Sequence, residues 1–268
     1  MMCFNLVIIN LKGQNNYQNL IKYTYNEFSH NKDGLFLYNS LTGNIVREVG
    51  TDESYRRIID NFGFTTNENS LIHVHLRLAT RGKVTKDNVH GWSYTWNNET
   101  FLCSHNGSYH DDKYIIPPKY KGNEEEQKTT YDTMSYSYPL GSEWYSESYY
   151  RYLGDNSDSK EFFDKLFQGI DKEKKIYKLI RDFYGVAFCT SQNKVLAISY
   201  KKSIKLQYYN NAIVLSNEVL YTDLTYNISG FKFKISTPEV YNKMILIDIK
   251  KREVKELYDF TYTEVLYK

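Results

Sequence analysis

The chain has 268 residues, 41% of them apolar and 25% charged, enough for one large domain or two small ones at about 150 residues each. That balance excludes a disordered, collagen-like or disulfide-knot chain. With Lys+Arg 34 against Asp+Glu 32 and a net charge of +2, no strong field points to nucleic acid or an anionic membrane as partner.

The first apolar run, Cys3–Leu11, reads as a buried strand. Tyr17, Leu20, Ile21, Tyr25 and Phe28 recur at helical spacing and predict an amphipathic helix over 16–29. Tyr55, Ile58, Ile59 and Phe62 predict a second helix. Leu71–Leu78 alternates, with Val74, Leu76 and Leu78 on one side and His73, His75 and Arg77 on the other, as a strand does. This puts Arg77 on a polar face. Phe101–His105 is a short strand, and Ser104-His105-Asn106-Gly107 closes it with a turn. The polar, Tyr-rich stretch from about 121 to 160 carries no clear period. Glu161–Phe183 is helical, with a break near Gly169. From Gly185 strand follows strand: Val186–Cys189, Val195–Tyr200, Ile204–Tyr209, Ala212–Ser216, Phe231–Ile235 and Met244–Ile249, separated by short polar turns. Strands at both ends with helices between predict an α+β protein with one layered core, sheet on sheet under helices. A single domain over 1–268 is expected.

No apolar run approaches the roughly 18 residues of a membrane helix, and the N-terminus lacks the basic flank and apolar core of a signal peptide. Cys3, Cys103 and Cys189 form neither a disulfide framework nor a metal site by themselves, which suits a reducing compartment. A cytoplasmic protein without a membrane partner is expected. His73, His75, His90 and His105 lack the spacing of a zinc helix or knuckle, so neither metal nor cofactor is expected. Tyr is abundant at 27 and Ala scarce. An AT-rich genome, viral or microbial, accounts for this, and the tyrosines are given no functional weight.

Four places hold chemistry-bearing residues: Cys3; His75–Gly82 with Asn88-Val89-His90; Ser104–Gly107; and Thr129–Thr133. Singly, each has an ordinary explanation. Cys3 is a small buried hydrophobe, Asn106-Gly107 a hairpin turn, Arg77 a surface ion-pair residue, and Asp132 a cap or solvated charge. Together and in this order they resemble the class II glutamine amidotransferase domain, an N-terminal-nucleophile glutaminase. The resemblance is carried by Met2-Cys3, by His75-Leu76-Arg77-Leu78-Ala79-Thr80-Arg81-Gly82, by Asn88-Val89-His90, by His105-Asn106-Gly107 and by Tyr131-Asp132-Thr133. The C-terminal strands from Gly185 to Glu218 are similar too. Phe4 stands where Gly is common after the nucleophile, and Arg81 where synthase members often carry His.

The resemblance implies a four-layer αββα sandwich with Cys3 at the end of a central strand. It implies glutamine as substrate and a separate synthase or ligase that accepts the ammonia. Cys3, as mature N-terminus, would supply the thiol nucleophile and its own α-amine as base. Asn106 and Gly107 would hold the oxyanion. Arg77 and Thr80 would hold the substrate α-carboxylate, and Asp132 the α-ammonium. A catalytically inactive structural or interaction protein on the same fold, and an amidase of another amide, are the alternative functions.

Overall fold

A computed structural model describes residues 3–79, 83–109, 157–220 and 239–261. Its centre is β1 (Phe4–Asn10), whose seven residues are all buried. Both faces are covered, so the run FNLVIIN needs no polar side. Phe4, Leu6 and Ile8 point one way, and Val7 and Ile9 the other. β1 lies between β6 (Leu71–Arg77) and β12 (Ala212–Ser216), antiparallel to both.

Among the described residues, one sheet has seven strands, in the order β13-β11-β12-β1-β6-β3-β4. Its other members are β3 (Gly34–Asn39), β4 (Asn44–Glu48), β11 (Ile204–Tyr209) and the short β13 (Glu239–Val240). The second sheet has six, in the order β15-β14-β10-β9-β8-β7. These are β7 (Trp92–Trp96), β8 (Glu99–Tyr109), β9 (Phe183–Thr190), β10 (Lys194–Tyr200), β14 (Lys243–Asp248) and β15 (Glu253–Asp259). A two-residue pair, β2 (Asn15–Asn16) with β5 (Thr65–Thr66), stands apart. Helices α1 (Gln18–Glu27) and α2 (Asp52–Asn61) cover the outer face of the first sheet through Leu20, Ile21, Tyr55 and Ile59. Helices α3 (Asp158–Gly169) and α4 (Glu173–Arg181) cover the second through Phe162, Phe163, Leu166 and Ile176. Between the sheets pack Val7, Ile9, Phe36, Val186, Phe188 and Leu215. The architecture is the four-layer αββα sandwich.

The local signals explain most elements. Thr51 accepts Ser54 N–H at 3.2 Å and caps α2, whose first turn carries Asp52 and Glu53. The expected break near Gly169 separates α3 from α4. Two expectations change. The strand predicted over 101–105 runs on to Tyr109, so Asn106 and Gly107 lie inside a strand instead of in a turn. The polar face of β6 points into the sandwich, and Arg77 is 2% exposed. The second sheet lies over that face, which a strand's own alternation cannot report. Phe4 packs outward, stacked on Phe28 at 4.1 Å, and fills the helix-covered core. β3, β4, β7 and β15 were not expected. The strand predicted over Phe231–Ile235 and the Tyr-rich stretch as far as residue 156 lie outside the described residues.

Phe188, wholly buried between the sheets, tests this packing. Phe188→Ala is expected to lower the unfolding free energy by about 3–5 kcal/mol, read as a fall in the urea midpoint without a change of slope.

Candidate active site

Cys3 sits one residue before β1, part-buried. The β1–β6 ladder ends at Phe4 opposite Leu76. Beyond it the Cys3 thiol continues the pairing: Sγ accepts the Leu78 N–H at 3.2 Å and donates to the Leu78 carbonyl at 3.3 Å. The thiol is thus fixed beside Arg77. Burial pushes it up to about 11; the Leu78 hydrogen bond and the Arg77 charge pull it down, while Asp158 and Asp33 add to the rise. At neutral pH the Cys3 sulfur is therefore a thiol, and a base has to remove its proton before it attacks anything.

The second sheet meets this point through β8. Leu102, Ser104 and Asn106 face inward, while Phe101, Cys103 and His105 face the α3–α4 layer. Ser104 Oγ donates to Asn5 Oδ1 at 2.7 Å. Two residues on, Asn106 Nδ2 donates to the Cys3 carbonyl. The inner edge of β8 thus runs beside the first residues of the chain, Ser104 against Asn5 and Asn106 against Cys3. Asn217, just past β12, closes the other side: its Oδ1 accepts Asn5 N–H at 2.6 Å, and its Nδ2 lies 3.4 Å from the Cys3 carbonyl.

Gly107 follows at φ +149 with a backbone no other residue suits. A Cβ there would lie 1.8 Å from the Tyr184 carbonyl. Its register partner Gly185 has φ +127, and a Cβ on it would lie 2.1 Å from the Asn106 carbonyl. The two glycines let β8 and β9 close at the position where Asn106 reaches Cys3.

Arg77, at the end of β6, is held on its backbone and its side chain. Its carbonyl accepts Asp33 N–H at 3.0 Å, and Nη1 donates to the Lys83 carbonyl at 3.1 Å. Gly34 opposite makes room for it: a Cβ there would lie 3.3 Å from Arg77 Cβ and 2.9 Å from Val89. Asp33 Oδ2 accepts Ala79 N–H at 2.7 Å and steers the chain leaving β6.

Four buried histidines surround these residues, and their hydrogen bonds assign the ring protons. His75 Nε2 faces the His105 carbonyl at 3.2 Å and His105 Nε2 faces the Tyr184 carbonyl at 3.1 Å, so both are donors. His90 Nδ1 accepts His105 N–H at 3.1 Å. Since Ser104 gives its proton to Asn5, it accepts from His73 Nε2 at 2.6 Å, and His73 Nδ1 accepts from Thr190 Oγ1 at 2.8 Å. A neutral ring satisfies each set. Burial favours the same state, lowering His73 to about 3 and His75 and His90 well below the usual imidazole range. Asn5 Nδ2, His75 Nδ1 and Asn106 Oδ1 are buried without a protein partner; all three belong to this seam. Among the described residues no cluster of His, Cys, Asp or Glu is arranged to hold a metal ion.

The structure thus brings Cys3, Arg77, Asn106 and Gly107 to one end of the sandwich. Thr80 and Asp132 lie outside the described residues. Asn217, Asn5 and the bonds of His75 and His90 to the His105 backbone carry no role in the sequence reading. The signal for Asn5 and Asn217 was a polar residue inside, or just past, an otherwise apolar strand, whereas His75, His90 and His105 stood within the motifs that carry the resemblance. A groove of about 890 Å³, lined by Ser40, Thr42, Asn98 and Lys194, opens at the other end of the strands. That is about 20 Å from Cys3, the length of a seven-residue strand, and it has no part in this site.

Two solved structures share the architecture over 97% of the chain. One is the glutamine phosphoribosylpyrophosphate amidotransferase from B. subtilis, at 12% identity and TM-score 0.50. The other is described as the allosteric regulatory enzyme of purine biosynthesis, at 13% identity and TM-score 0.53. The chain has the fold of a class II glutamine amidotransferase domain. It spans about half the length of those solved chains, 49% of each. No protein-family model and no curated relative matches the sequence. The fold agrees with the resemblance carried by the ordered motifs. Among the described residues no helix is long and apolar enough to cross a membrane.

Two outcomes test this geometry. With Met1 and Met2 retained, Cys3 alkylation is expected to climb about tenfold per pH unit from 7 to 9, as the thiolate fraction of a raised thiol must, and to level near pH 11. The raised value means that the neutral thiol dominates at every pH below it; a plateau at pH 9 would contradict the burial. Gly107→Ala is expected to destabilise the fold by at least about 2 kcal/mol, because left-handed backbone and a carbonyl clash coincide, measured by urea unfolding.

Proposed function

We propose that the chain hydrolyses the side-chain amide of glutamine through a Cys3 thioester and releases ammonia to a separate acceptor enzyme. The observation that carries the reading is the convergence of Cys3, Arg77 and Asn106 at one end of a sandwich with the amidotransferase fold.

The chemistry follows from the groups present. With Cys3 as mature N-terminus, its α-amine of pKa about 7.7–8 takes the thiol proton intramolecularly near neutral pH. A free amine is needed because the thiol itself, buried to a value of about 11, ionises too little. The thiolate attacks the amide carbon and the carbonyl oxygen becomes an oxyanion. An Asn amide has two N–H groups; Asn106 uses one on the Cys3 carbonyl and presents the other to the oxyanion, alongside the Gly107 N–H. The ammonium formed on Cys3 returns its proton to the leaving nitrogen, and ammonia departs. Water then cleaves the thioester, giving glutamate and the free thiol. Arg77 pairs its planar guanidinium with the substrate α-carboxylate. Thr80 assists there, and Asp132 takes the α-ammonium. Free hydrolysis would waste glutamine, so a partner that accepts ammonia and raises the rate belongs to this reading.

In a glutamate-release assay on chain processed to Cys3, Cys3→Ala is expected to abolish turnover. Equal release by wild type and Cys3→Ala would sink the proposal. Arg77→Lys is expected to raise KM for glutamine at least about tenfold, the worth of one charge-assisted hydrogen bond, with a smaller change in kcat. A non-glutamine amide hydrolysed faster than glutamine would reassign the substrate.

A further inference from the structure

Among the described residues, β7 pairs with β8 from Glu99 to Cys103, where Trp92 meets Cys103. There Gly91, at φ +96, turns the chain away from the sheet; a Cβ on it would strike the Phe36 ring at 2.3 Å. The edge of β8 beyond that point is buried, not solvated: Ser104, His105 and Asn106 are at most 1% exposed. An unpaired backbone N–H and C=O at such a place would be costly.

Side chains bond this backbone where β7 has left it. His105 N–H donates to His90 Nδ1 at 3.1 Å, and the His105 carbonyl accepts from His75 Nε2 at 3.2 Å. The two imidazoles stack on each other, centroids 3.9 Å apart at 14°, and the His90 ring packs on Trp92. The His105 ring is pinned as well, by Ser159 Oγ of α3 at 2.9 Å and the Tyr184 carbonyl of β9 at 3.1 Å. Four separate segments therefore fix the residue that immediately precedes Asn106.

We propose that His75 and His90 are positioning residues, which hold the backbone of His105 so that Asn106 and Gly107 stay aimed at the oxyanion. The inference rests on the glutaminase reading of those two residues. Neither imidazole touches substrate. Each acts through a single ring nitrogen, His90 as acceptor at the δ position and His75 as donor at the ε position. Asn places an amide oxygen where Nδ1 was, and Gln places an amide N–H where Nε2–H was. His90→Asn and His75→Gln thus keep the bond, whereas His90→Gln and His75→Asn lose it at comparable polarity.

The experiment measures kcat and KM for glutamine in these four variants of the full chain processed to Cys3, with amide hydrogen exchange at His105 followed by NMR. The matched variants are expected to stay within about threefold of wild type, and the mismatched ones to lose at least about tenfold in kcat at little-changed KM, since small displacements of positioned groups are felt in the transition state. His90→Asn is expected to keep the His105 amide protected and His90→Gln to release it. Equal kcat within each pair would overturn the inference. Wild type without any glutamine turnover would fell the glutaminase reading instead; equal His105 exchange in the two His90 variants would then overturn the clamp as well, and unequal exchange would uphold it. The two pairs are independent, so a variant that fails to fold in one leaves the other decisive.

Discussion

The hydrogen bond from Asn106 to the Cys3 carbonyl joins the two sheets at the end of the sandwich where the proposed nucleophile lies. Much of the local structure serves that contact. Gly107 and Gly185 let β8 and β9 approach closely enough for Asn106 to face inward at the right height. Asn217 grips Asn5 and the same carbonyl from the opposite side. The thiol, continuing the β1–β6 ladder on Leu78, cannot swing away without losing both of its backbone partners. A preorganised arrangement of this kind is what transition-state charge requires, because donors that must reorient contribute little.

The polar interior has a cost that the rest of the fold must offset. Arg77, His73, His75, His90, Ser104, His105 and Asn106 are all buried, and such groups destabilise unless paired. Most are paired, and His73, His75 and His90 stay neutral because desolvation outweighs any gain from protonation. Val, Ile, Leu and Phe fill the rest of the inter-sheet space, with Phe36 opposite His75 and Val186 opposite Asn106.

The fold was largely legible because its central strands are continuous apolar runs and its helices carry clear periods. β3 escaped because GLFLYN follows a polar stretch and is short. β4 and β15 escaped because edge strands are exposed and mostly polar, with little apolar pattern to read. Asn106-Gly107 read as a turn because that dipeptide usually makes one; here Asn106 side-chain bonding and the closeness of β9 hold it in a strand. For the site, residue types in order pointed to Cys3, Arg77, Asn106 and Gly107. Asn217 and the histidine clamp were invisible because their roles depend on which strands become neighbours.

By itself the sequence determined most of the buried strands, β3 excepted, and the amphipathic helices, since period and apolarity are local properties of a chain. It also supplied an ordered set of nucleophile, guanidinium, amide and glycine. Only the tertiary structure decided that the polar face of β6 turns inward, that β8 outruns β7, and that β1 and β8 face each other across the sandwich. Those outcomes depend on pairing between residues as far apart as Asn5 and Asn217 or His73 and Thr190. Such pairing is set by how two sheets bury their shared surface, which no local pattern encodes.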